Sequence, residues 1–169
     1  MTAPGARDMV LTPMGLRYRG RLYPCSIGKG GLTRAKREGD GATPVGAHRI
    51  VMTLYRPDRM AAPAPWARPI VTGDLWSDDA GDAAYNTWVR APYRHSHEAL
   101  RRADPLYDLV LVTDWNWPHA VPGRGSCIFM HRWRRPGYPT EGCIALRRDH
   151  LHRIAAQAAP GTRLIVPDL

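Results

Sequence analysis

The chain is poor in cysteine, in lysine and in long apolar runs, and each shortage removes a class of protein. Cys25, Cys127 and Cys143 are an odd number at unrelated spacings, which argues against a disulfide framework. No Cys-x-x-Cys pair is present, so the sequence carries no structural zinc signature. Near the N-terminus the longest apolar run is Met9-Val10-Leu11, far short of a secretory h-region. No segment approaches the ~20 apolar residues of a membrane span. With no export signal visible, the readings left for compartment are a cytoplasmic protein, an unread export route or a trimmed chain. Only Lys29 and Lys36 are lysines, and neither sits in the Gly-Lys-Ser/Thr frame of a phosphate loop. Internal repeats and an alternating βαβ rhythm are also missing.

What is present describes one globular domain spanning residues 1–169. Hydrophobic residues make up 44%, enough for a real core. Gly and Pro, 16 of each, predict many turns and short helices. The formal charge of +9 comes almost entirely from arginine and points to an anionic partner: nucleic acid, a membrane surface or a carboxylate-rich substrate. The arginines are scattered and no nucleic-acid motif appears, so no nucleic-acid partner is expected.

The pattern is mainly β, with a few short α-helices. Strands are predicted at 9–12 and 16–19 around a Pro13-Met14-Gly15 turn, then at 21–27, 48–54, 125–131 and 163–166. Leu109 to Thr113 reads as a strand covered on both faces. One helix is expected over His97 to Ala103. Another is expected from Leu151, Ile154, Ala155 and Ala158, with Asp149 as N-cap and Pro160-Gly161 as the stop. Residues 56–82, rich in proline and then in aspartate, read as a surface excursion of the kind that forms substrate loops or lids.

The chemistry concentrates in two segments. Gly125 to His131 ends a predicted strand in histidine, and Thr140-Glu141-Gly142-Cys143 follows after a Pro/Gly-rich connection that turns the chain back. A free thiol is mostly protonated at neutral pH, so a nucleophilic cysteine needs a base or positive surroundings. His131 can be that base, while Gly142 lets backbone N–H groups converge on an oxyanion. The competing reading is a buried histidine and a buried cysteine that never meet. His precedes Cys here, the reverse of papain-like order.

His131 and the Thr140-Glu141-Gly142-Cys143-Ile144 segment resemble the active-site signature of the L,D-transpeptidase catalytic domain, a family of bacterial cell-wall enzymes that use cysteine. Thr43-Pro44-Val45-Gly46-Ala47-His48-Arg49-Ile50 resembles a second motif of that family, and Gly123 to Ser126 with Tyr107 to Asn116 resembles a compact proteobacterial branch. The likeness runs from about residue 22 to the C-terminus. It implies a β-sandwich or barrel, no cofactor, no metal, and peptidoglycan stem peptides (muropeptides) as partner, with the protein a monomer. It implies Cys143 as nucleophile and His131 as base, with the Arg132 carbonyl fixing the imidazole and the N–H groups of Gly142 and Cys143 binding the oxyanion. Thr140, Glu141, Ser126, Arg135, Trp133 and His119 are the expected substrate-binding residues. Transfer to diaminopimelate, with L-Ala at stem position one as a candidate donor, stands beside hydrolysis by the same site. The chemistry also implies the periplasm. Glu141 and Ala145 depart from the family's commoner His and Arg or Asn, which puts donor specificity in doubt.

Other residues carry two readings each. Arg94, Arg132, Arg134 and Arg135 are candidates for a carboxylate-binding rim, or solvated surface. Trp115, Trp117, His119 and Trp133 form a substrate wall, or ordinary aromatic packing. His95, His97 and Glu98 suggest a loop or substrate rim before a metal. Cys127, four residues before His131, is a second reactive thiol or a packed strand residue.

Overall fold

The computed structural model describes residues 3–169. In chain order the strands are β1 (Met9–Thr12), β2 (Gly15–Tyr18), β3 (Arg21–Tyr23), β4 (Cys25–Ser26), β5 (Leu32–Thr33), β6 (Thr43–Pro44), β7 (Gly46–Tyr55) and β8 (Arg68–Pro69). They continue as β9 (Asp74–Ser77), β10 (Trp88–Arg90), β11 (His97–Ala99), β12 (Leu109–Thr113), β13 (Phe129–Arg132), β14 (Ile144–Leu146) and β15 (Arg163–Val166). One helix, α1 (Arg148–Ala155), lies between β14 and β15.

The main sheet runs β3-β2-β1-β15-β7-β12-β13-β14-β4, with β8 added beside β7. Its two ends, β3 and β4, are separated in sequence only by Pro24, so the sheet has to curl round on itself. β7 is the long strand that allows this. Its first half pairs with β15 and its second half with β12, where the register shifts between Val112 and Thr113. Such a shift bends and twists a sheet locally. The Pro13-Met14 turn fits the sequence reading, and Gly15 is required there. Its φ is +130°, and a Cβ would stand 2.5 Å from the Tyr23 carbonyl oxygen.

β12 separates two cores. Leu109 and Leu111 join Met9, Leu16, Ile50, Met130, Ile144 and the buried face of α1, whereas Val110 and Val112 join Leu54, Trp76, Tyr107, Phe129 and Cys143. Alternation along the strand sends successive side chains to opposite layers, as the unbroken apolar run predicts.

Three local expectations change. Residues 97–99 form β11, paired with β9, where a helix was expected: Leu100 is the buried anchor, and Arg101 and Arg102 pair with Asp58 and Asp104. That leaves one helix among the described residues in place of a few. Asp149 is in the first turn of α1, bonded to Arg147, and the N-cap is Arg147 without a side-chain cap. The excursion is also less loop-like than expected, since it contributes β8 and the central strand of the separate sheet β10-β9-β11.

Candidate active site

β13 and β14 run parallel, with His131 opposite Ala145 and Met130 opposite Ile144. The Pro/Gly-rich segment between them is therefore a crossover that returns the chain to the same end of the sheet; a simple doubling back would have made the pair antiparallel. This register sets Cys143 beside Phe129, whose N–H donates to the Cys143 Sγ at 3.4 Å. Phe129 and His131 share a strand face, and Tyr107 packs edge-on against both rings at 6.0 and 5.3 Å. Cys143 and His131 thus open onto one cleft of about 430 Å³.

The histidine is oriented from behind. Its Nδ1 lies 2.7 Å from the Arg132 carbonyl oxygen, which can accept a proton only from Nδ1–H. That tautomer leaves Nε2 as the proton acceptor. Burial lowers the imidazole to about 4, against the weaker pull of the Arg132 carbonyl, so it is neutral at pH 7. Cys143 is pushed the other way. Burial raises its thiol to about 12, the Phe129 N–H opposes this, and the negative charge of Glu98 adds to it. The thiol donates to the Cys127 carbonyl at 3.0 Å. The resting pair is a thiol and an imidazole, with no ion pair.

Backbone contacts lock the cysteine loop to the Thr43 motif. Thr43 Oγ1 donates to the Gly142 carbonyl at 2.8 Å and receives the Gly28 N–H at 2.9 Å. Thr140 Oγ1 donates to the Cys143 carbonyl at 2.6 Å and receives the Gly142 N–H at 3.1 Å. An oxyanion role for the Gly142 N–H requires that last bond to be given up. Gly142 has φ +134°, and a Cβ there would come 2.8 Å from the Ala42 carbonyl oxygen.

Residues 10–166 match the family model of the L,D-transpeptidase catalytic domain (YkuD). The chain belongs to this family. A solved L,D-transpeptidase from Mycobacterium smegmatis resembles it at 16% identity with a TM-score of 0.46, covering 95% of this chain and 58% of that one. The chain therefore spans less than two thirds of that protein's length. No curated protein matches.

Within this L,D-transpeptidase domain, Cys143, His131, Ser126, Trp133, Thr140 and Glu141 all line the cleft. Ser126 is held by Glu38 at 2.8 Å, and Glu141 is paired with Lys29 at 2.7 Å. His119 and Arg135 are exposed and do not line the cleft, although Arg135 stacks on Tyr138, which does. Of the four rim arginines only Arg134 reaches the cleft. Arg132 follows His131 on the strand and so points to the opposite face, beside Arg148 and His152. Arg94 lies beside Tyr93 and His95 in a separate shallow pocket. Trp115 packs against His48 and Arg124, and Trp117 against the second core, so of the expected wall only Trp133 lines the cleft. His95 sits between Asp79 and Asp82 at 3.3 and 3.5 Å. Among the described residues no cluster of three or more His, Cys, Asp or Glu side chains forms a metal site. Cys127 reaches the cleft from a residue of φ +54° just before β13, not from a strand face.

Arg102 and Asn86 had no place in the sequence reading, Tyr107 entered only as the start of a family-like segment and Asp78 only within the 56–82 excursion, whereas Glu98, read as a loop or substrate-rim residue, does line the cleft. Asn86 is buried and joins four groups: its Oδ1 accepts from Trp76 Nε1 and the Cys127 N–H, and its Nδ2 donates to the Trp115 and Asn116 carbonyls. It fixes the residue whose carbonyl holds the Cys143 thiol. Its neighbours, Ala83-Ala84-Tyr85 and Thr87-Trp88, carry no motif that would have marked it.

Proposed function

We propose that this domain is a cysteine acyltransferase acting on peptidoglycan stem peptides, with Cys143 as nucleophile and His131 as general base. The observation that carries the reading is a buried thiol and a neutral imidazole on one cleft, with the imidazole's Nδ1 tied to a main-chain carbonyl. Attack begins from the neutral pair. The Sγ–H proton passes to His131 Nε2 as sulfur adds to the carbonyl carbon of an L-residue, and backbone N–H groups of the Gly142-Cys143 turn take up the oxyanion. His131 then gives that proton to the amine of the departing D-residue, leaving a thioester on Cys143. A second amine, that of diaminopimelate on a neighbouring stem, attacks the thioester and regenerates the thiol. L-Ala at stem position one is the donor suggested by the likeness to the compact branch. Such a reaction belongs in the periplasm, where its polymer lies.

The test is incubation with defined tripeptide and tetrapeptide muropeptides, read by mass. A cross-linked dimer that is lost in Cys143→Ala supports transfer. Trimmed monomers alone, with acceptor abundant, would make the domain a peptidase. Dimer formed equally by Cys143→Ala would remove the cysteine from the chemistry.

A further inference from the structure

The cleft contains two carboxylates that acylation of Cys143 does not use. Asp78 follows β9 and Glu98 lies in β11. His97 stands opposite Ser77, and the Asp78 N–H bonds to the Ser96 carbonyl in the same register. That register puts Asp78 and Glu98 on one face of the ribbon as diagonal neighbours. Both line the cleft that holds Cys143, and the charge of Glu98 reaches the thiol.

The protein as a whole carries +9, yet the cleft's lining acids are Glu38, Asp78, Glu98 and Glu141 against Arg102 and Arg134. Glu38 is engaged by Tyr85 and Ser126, and Glu141 by Lys29. Asp78 and Glu98 are different. Asp78 Oδ1 is buried with no hydrogen-bond partner. Glu98 has Arg102 at 3.7 Å, but that guanidinium is already clamped by Asp104 through bonds of 2.9 and 2.6 Å. Burial, and then the neighbouring charge of Asp78, raises the Glu98 carboxyl above its ordinary value, against the charge of Arg102 and a hydrogen bond from the Tyr107 hydroxyl. A buried carboxylate oxygen without a donor is costly. A cation seated between the two acids would offset the charge of both.

We propose that Asp78 and Glu98 form the acceptor subsite, binding the ammonium group of the incoming amine beside the thioester, with Glu98 taking its proton. This rests on the acyl-transfer reading of the same cleft. The ammonium R–NH3⁺ gives one proton to the Glu98 carboxylate and becomes R–NH2. Its nitrogen adds to the thioester carbonyl, the C–S bond breaks, and Cys143 leaves as thiolate. The second nitrogen proton passes through His131 to that thiolate, which regenerates the thiol and the neutral imidazole. Glu98 then releases its proton to solvent. An acidic pair at this position selects a cationic amine over water, and so directs the acyl group to cross-linking.

The test measures partition of the acyl-enzyme. The full chain is acylated with a donor stem tetrapeptide and offered Nα-acetyl-lysine, whose amine is cationic, together with hydroxylamine, which is mostly neutral at pH 7. The ratio of lysine amide to hydroxamate is read by mass, and it does not depend on how fast the thioester forms. Glu98→Gln and Asp78→Asn, both isosteric, are expected to lower this ratio roughly tenfold or more. The same ratio in the parent and both variants would overturn the subsite while leaving the acyl-enzyme intact. Absence of any acyl-enzyme in the parent would overturn the acyl-transfer reading and the subsite with it.

Discussion

At the residue scale, the neutral thiol–imidazole pair makes a pH prediction. His131 is held at about 4, below its ordinary 6.5, because burial disfavours its charged form. The acid limb of kcat/KM for acylation should therefore fall with a midpoint near 4; a midpoint near 6.5 would mean the imidazole titrates in water. The same shift acts on stability. Between these two values the unfolded chain binds a proton that the folded chain does not, so stability falls as pH drops from 6.5 towards 4 and levels off below. The loss is on the order of 3 kcal/mol, measurable by urea unfolding at a series of pH values. His131→Ala should hold stability at least as well in acid while losing roughly 10²–10⁴-fold in acylation rate. Asn86→Ala is expected to cost about 2 kcal/mol or more, because it strands a buried indole N–H and the Cys127 N–H. Its acylation rate should drop with the loosened Cys127 carbonyl, and an unchanged rate would show that this carbonyl does not position the thiol.

At the element scale, the site depends on two pieces of backbone meeting at close quarters. Gly28 lies against the cysteine loop, where a Cβ would come 2.2 Å from the Gly41 carbonyl oxygen and 3.0 Å from Gly142 Cα. Gly28→Ala should lower the melting temperature and the acylation rate together, as would Gly142→Ala. Helix α1 makes a simpler contribution. Leu151 and Ile154 are buried against the first core, so Leu151→Ala should destabilise by about 2–5 kcal/mol by chemical unfolding. The apolar run of β12 and the turn between β1 and β2 were legible in the sequence because their side chains alternate or break at a glycine. Cys143 and His131 were legible because their motifs are local. The parallel crossover, β11 and the acidic pair were not. His97, Glu98 and Ala99 carry no strand pattern of their own, and their pairing with β9 goes with the burial of the adjacent Leu100 and of Trp76, which lies well before them in the chain.

At the scale of the whole molecule, charge is divided by location. Of the arginines read as a carboxylate rim only Arg134 lines the cleft, and elsewhere on the surface Arg56, Arg101 and Arg147 pair with aspartates. The excess of +9 is then a long-range property of the surface and the cleft a local exception. Association with an anionic polymer should weaken as salt rises from roughly 0.05 to 0.5 M, since screening shortens the reach of surface charge. Partition of the acyl-enzyme between amine and hydroxylamine should change much less over that range, because the acids are half-buried. The most direct test of the account is intact-mass analysis of the chain mixed with a stem tetrapeptide. The expected result is an adduct equal in mass to the donor peptide minus its departing amine, mapped to Cys143 and missing in Cys143→Ala. No adduct, or one carried by Cys25 or Cys127, would contradict it.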